Sequence, residues 1–155
     1  MKTAVIAAVA ALAIWLIQLW QPARQVELHT LNLLQRASAR DWTAVGRMMS
    51  PDYRDAWGHD RATSIDEARL LFSHFFALHI TATGLLQISG GSGEWSASGP
   101  LGVFGSGSPV AHVVMDEVRA VREPFEFRWE KSGSWPWAWL LVELRHEDLA
   151  GRRGR

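Results

Sequence analysis

The apolar residues change period partway along the chain, and that change sets the fold class. Between residues 24 and 76 they recur every three or four positions. Val26, Leu28, Leu31 and Leu34 form one stripe, Val45, Met48 and Met49 a second, and Ala68, Leu71, Phe72, Phe75 and Phe76 a third. This is the spacing of amphipathic helices. From His79 onward apolar and polar residues alternate in segments cut by glycine and serine, which is the two-residue period of strands. Helices first and strands afterwards predict an α+β domain with its helices laid on one face of an antiparallel sheet.

Local signals place the boundaries. Asp41 stands where it can cap a short helix, and Ser50-Pro51 stops that helix because the residue before a proline is steered out of the helical region. Ser64 lies three residues before Glu67, a capping-box spacing that predicts the start of the third helix at Ser64. The segments HITATGLLQIS, EWSASGPLGVFG, VAHVVMDEVRAV, PFEFRWEK and WPWAWLLVELRHE read as strands, with the glycines from 90 to 107 marking bends and bulges. Phe125, Phe127 and Trp129 alternate with Glu126, Arg128 and Glu130, which predicts an outer or an antiparallel strand with one solvated face. In the last segment Trp137, Trp139 and Leu141 fall on one face, and Ala138, Leu140, Val142 and Leu144 on the other. That strand needs cover on both sides; the helices or a cavity supply one, and a second subunit in a homodimer formed through the sheet supplies the other.

The first 23 residues are of a different kind. Only Gln18 interrupts the apolar run from Ala4 to Trp20, which as a helix extends roughly 25 Å, slightly less than a hydrocarbon core. Three readings follow: an uncleaved membrane anchor through residues 4–20, a cleaved signal segment, and an apolar first helix of a soluble domain. The residues after the apolar core, Gln18 to Pro22, lack a small-residue cleavage pattern, which favours the anchor. Lys2 favours the cytoplasmic side, so the domain is expected outside the cytoplasm, either membrane-anchored or, after cleavage, secreted or periplasmic. The expected divisions are 1–23 for the anchor or signal, 24–149 for the folded domain and 150–155 for a basic flexible tail.

Charge and motifs remove several function classes. Sixteen basic side chains balance sixteen acidic ones, so no overall field draws nucleic acid, and Arg152, Arg153 and Arg155 are a small footprint on a terminus. Cysteine is absent, which excludes disulfides and thiolate chemistry. No metal site is expected, because neither HExxH nor His-x-His occurs. No cofactor is expected either: neither GKS nor GKT occurs, no helix pattern is read after GSGSP to receive a phosphate, and GxSxG is absent.

Three helices, an acidic and aromatic connector, and curling strands that end in a tryptophan-rich one resemble the nuclear transport factor 2-like (NTF2-like) superfamily, nearest its SnoaL-like and ketosteroid-isomerase-like branch. The resemblance covers about residues 24–149 and rests on element order and on DWTAVGRMMSPDYRDAWG. It implies a cystatin-like cone: three helices packed in the concave face of one strongly curved antiparallel sheet, around an apolar cavity, with pairing through the outer sheet face. Isomerase-like members place a tyrosine in the first helix, whereas residues 24–40 contain none. Their general-base aspartate corresponds loosely to Asp52, Asp55 or Asp60, and their neutral carboxylic acid to Asp116 or Glu117.

Pocket candidates are Tyr53 and Trp57 at a cavity mouth, His79 and His112 as bases with a carboxylate such as Asp116, and Trp139 as a deep apolar wall. Without a convergent acid-base set in the sequence, the first functional expectation is a membrane-tethered, noncatalytic binding or interaction domain with a pocket for a small apolar ligand. The alternative is a small cofactor-independent isomerase or dehydratase using His/Asp acid-base chemistry.

Overall fold

The computed structural model describes residues 2–146. Five helices and six strands follow one another: α1 (Lys2–Leu19), α2 (Pro22–Ser38), α3 (Trp42–Met48), α4 (Arg61–Phe72), β1 (Phe75–Ala82), β2 (Gln87–Gly91), β3 (Glu94–Gly99), β4 (Leu101–Gly107), α5 (Pro109–Ala120), β5 (Phe125–Lys131) and β6 (Trp139–Arg145). The expected basic tail at 150–155 and the domain end at 149 lie outside the described residues.

α2 and α3 form where the periodicity places them. Pro22 opens α2, where a missing N–H costs nothing, and the helix buries Val26, Thr30, Leu33 and Leu34. Asp41 caps α3 by accepting the Ala44 backbone N–H at 3.0 Å. The start of α4 differs from expectation. Its cap is Asp60, which accepts the Thr63 N–H at 2.9 Å, so Ser64 lies inside the helix and its hydroxyl turns to Asp55 instead. A carboxylate four residues earlier captures the free amides first. Phe75 and Phe76, placed by spacing on this helix, belong to β1.

The single strongly curved cone is not formed. The strands divide into two open antiparallel sheets, β1-β4 and β2-β3-β5-β6. Each of the first two expected strands is split between them: residues 83–86 separate β1 from β2, and Pro100, which has no N–H to give a ladder, separates β3 from β4. Glycine is required where β4 meets β1, because a Cβ on Gly105 would overlap the Ala77 carbonyl. The third expected strand is the helix α5: Ala111, Val114, Met115 and Val118 follow the i, i+3, i+4, i+7 spacing of one helix face rather than the alternation of a strand, and Pro109 opens it. His112 and Asp116 are thus helical residues.

β5 is antiparallel, as its alternation allows, but it is an interior strand rather than an outer one, hydrogen-bonded to β3 and β6. It buries Phe127 and Trp129, while Arg128 on its other side pairs with Glu94 and Glu143. Those linked ion pairs occupy the face where an apolar subunit contact was expected. β6 is last in its sheet, yet its edge is covered: the N–H groups of Ser50, Arg54 and Ala56 donate to the carbonyls of Leu141, Val142 and Leu144 at 2.8, 3.1 and 3.1 Å. It begins only at Trp139. Trp135 and Trp137 lie in the loop before it, so the three indoles do not share a strand face.

At the N-terminus, no single helix among the described residues is long and apolar enough to cross a membrane. Val5–Ile17 and Pro22–Ser38 meet that condition only as a pair, bent by 70°. The expected continuous anchor is therefore replaced by a helix that breaks at Trp20 and turns into the first helix of the domain.

Candidate functional site

The helices α2, α3, α4 and α5 and both sheets leave a cavity of about 310 Å³ between them. Leu34, Trp42, Ile65, Phe72, Val114 and Phe127 are among the side chains that line it. α4 roofs it without burying any residue of its own. The wall is almost wholly apolar, and its two hydroxyl-bearing side chains are Tyr53 and Ser64.

Both hydroxyls come from the segment that covers the edge of β6 and the helix that follows it. Behind Ser64 stands Asp55, a buried carboxylate. Its Oδ2 accepts from Ser64 Oγ at 3.2 Å and from His59 Nδ1 at 3.1 Å, while its Oδ1 accepts the backbone N–H groups of Trp57 at 2.9 Å and His59 at 2.8 Å. Four donors on one carboxylate fold the connector into a tight loop, helped by Gly58 at φ +85°. On its far side the His59 ring meets Glu67 on α4, Nε2 to Oε1 being 3.7 Å. An ionised carboxylate only accepts, so the contact fixes the proton of His59 on Nδ1 and turns the Ser64 proton toward Asp55. Burial, the nearby Asp55 charge and, more weakly, Glu143 raise the Tyr53 pKa far above the ordinary phenol value, with the Ser64 hydroxyl opposing them. Tyr53 is therefore a neutral hydrogen-bond donor.

Of the residues singled out in the sequence, Tyr53 lines this cavity. Trp57 is half-buried in the connector, and its backbone N–H is held by Asp55. His79 on β1 and His112 on α5 are exposed, and Asp116 pairs at the surface with Arg119. Trp139 is buried, but its Nε1 donates to the Pro136 carbonyl at 2.7 Å and the residue is not part of the lining. The acid-base partners that do meet, Asp55 and His59, are four residues apart in DYRDAWGHD. The clue was available: an aspartate two residues before a tryptophan and four before a histidine, with glycine between, is a loop built around its own carboxylate.

No protein-family profile matches the chain, and no curated protein is significantly similar to it. Solved structures are similar at low identity. A candidate dehydratase of the NTF2-like family from Streptomyces avermitilis matches with a TM-score of 0.57 at 11% identity, over 79% of this chain and 91% of that one. An NTF2-like protein with a cystatin-like fold from Novosphingobium aromaticivorans matches with a TM-score of 0.53 at 16% identity, over 87% and 84%. Bd1075 of Bdellovibrio bacteriovorus matches with a TM-score of 0.54 at 9% identity over 73% of this chain, which spans only 35% of that protein. These likenesses define an α+β domain similar in fold to NTF2-like, cystatin-like proteins. They single out no SnoaL-like branch.

Proposed function

We propose that the cavity binds a small, largely apolar molecule carrying one hydrogen-bond-accepting oxygen, and that its polar wall catalyses a proton transfer of the isomerisation or dehydration class. The observation that carries this reading is the line of Tyr53 and Ser64 on an otherwise apolar wall, with the Asp55–His59 pair behind it. In a dry cavity the neutral Tyr53 phenol donates to the substrate oxygen and stabilises the charge that develops there. Ser64 takes a proton from the adjacent carbon as its own passes to Asp55 Oδ2, and His59 holds that carboxylate in place. The dehydratase name attached to a similar fold agrees with this class of reaction.

A noncatalytic binding role is favoured by one observation: Asp55 and His59 stand behind the lining rather than in it. Deuterium exchange into 2-tetralone, an apolar ketone with acidic α-hydrogens, separates the two. Protein-dependent exchange in deuterium oxide that is lost in Tyr53→Phe and Asp55→Asn is the expected result. Binding of the ketone without exchange supports the noncatalytic role, and neither binding nor exchange overturns both.

We read the bent helix pair as holding the domain at a membrane, with the body on the non-cytoplasmic side as the charge of Lys2 implies. An intact mass that retains residues 1–23, in protein recovered with membranes, is the expected result; a mature chain that starts near Gln21 overturns it.

A further inference from the structure

The loop between β5 and β6 carries two tryptophans that the fold leaves in solvent. Trp135 is 66% exposed and Trp137 is 56% exposed. Their rings stack on each other at 5.3 Å with planes 19° apart, so each covers one face of the other and leaves the opposite face bare. Exposed paired indoles mark a contact surface. The loop also has one place in the fold. His29 Nε2 lies 3.1 Å from the Trp137 carbonyl oxygen, which places the loop against α2 about two turns after the bend that joins it to α1. A third exposed tryptophan, Trp20, sits at the bend itself.

What lies beyond the bend indicates the occupant. α1 is apolar around its circumference, and the long side chains from Val5 to Ile17 are exposed on every side. A helix that is apolar all round is buried on every side, in a protein core or in a bilayer, and the described domain offers α1 no such core. With α1 along a membrane normal, the 70° bend lays α2 close to the membrane plane, and the loop against α2 is carried to the same level. Tryptophan is enriched at that level, where its ring is apolar and its N–H remains wet.

We infer that Trp135 and Trp137, together with Trp20 and the start of α2, form an interfacial docking surface that seats the folded domain on the headgroup zone of the bilayer entered by α1. The inference rests on the membrane reading of α1 and adds a second contact, made by the domain itself. The domain is held against the lipid surface rather than hanging free on a tether.

The chain has no cysteine, so one introduced thiol can carry a polarity-sensitive nitrobenzoxadiazole label. The full chain bearing Trp135→Cys, and separately Trp137→Cys, is reconstituted into vesicles of phosphatidylcholine with a minority of phosphatidylglycerol. Asp66→Cys on the exposed side of α4 is the reference position. The expected result is co-flotation with the vesicles, a blue shift of the label at 135 and 137, and loss of its emission when lipids with a quencher near the headgroup are included; the label at 66 stays water-like. Co-flotation with a water-like label at both loop positions overturns the docking surface while the reading of α1 stands. Failure to float overturns both. A blue shift insensitive to the quencher lipid but accompanied by self-quenching between labelled copies assigns the surface to a second copy of the chain, and overturns the inference.

Discussion

The indole Nε1 of Trp129 donates a hydrogen bond of 3.0 Å to Thr30 Oγ1, and both residues are fully buried. Thr30 in turn donates to the Val26 carbonyl one helical turn earlier, at 2.9 Å. The pair joins α2 to the interior strand of the larger sheet and gives the buried Trp129 indole N–H its acceptor. Thr30→Val keeps the shape and removes the acceptor, so it should cost about 1–3 kcal/mol. Thr30→Ser should recover most of that. Urea midpoints of the three proteins, at equal slopes, provide the comparison.

Tyr53 is the single tyrosine of the chain, so the phenolate absorption band reports it alone. Its folded-state pKa is raised above the ordinary value of 10.0, first by burial and then by Asp55. The stability gained by burying the neutral phenol is fully present below pH 10 and is lost as pH rises toward the folded-state value. The phenolate band should therefore stay absent well above pH 10 and appear together with unfolding. Tyr53→Phe should remove this contribution to alkaline unfolding. A phenolate that titrates near pH 10 in folded protein would contradict the burial of Tyr53.

The tryptophans near the C-terminus should differ sharply in what they contribute. Trp139 is 4% exposed and packs in the core, so Trp139→Ala should cost roughly 3–5 kcal/mol. Trp135→Ala and Trp137→Ala remove exposed rings and should each stay within about 0.5 kcal/mol of the parent. Thermal midpoints measured in detergent decide the order, and a large loss from Trp137→Ala would place that ring in the core.

The start of α4 can be tested at two residues. Asp60→Ala removes the carboxylate that holds the first turn and should lower the helix content and the denaturation midpoint. Asp60 has a lowered pKa, chiefly from the Thr63 backbone hydrogen bond, so its contribution is present above the unfolded carboxylate pKa and lost as pH falls through the folded value. Ser64→Ala leaves that cap intact and removes one hydroxyl from Asp55. Its effect should appear at the cavity, as a loss of 2-tetralone exchange larger than any shift in midpoint.

The sequence by itself determined the class of the protein and the order of its early elements. α2 and α3 lie where the helical stripes put them, and Asp41 and Pro51 bound α3, because helix period and capping depend on residues within a few positions of one another; α4 is a helix as its stripe required, but its cap is Asp60 and it ends before Phe75 and Phe76. Tertiary structure alone decided what depends on distant partners. The segment around His112, expected as a strand, is the helix α5 and lies against β4. β5 became interior because β3 and β6 pair on its two edges, a choice its own alternation does not contain. Trp135 and Trp137 were indistinguishable in spacing from Trp139, yet the chain turns before it pairs with β5, leaving two indoles in solvent and one in the core. The candidate site divides in the same way. Asp55 and His59 meet through a local loop that four residues of sequence can close, whereas the cavity that gives Tyr53 and Ser64 a chemical setting exists only where four helices and both sheets converge.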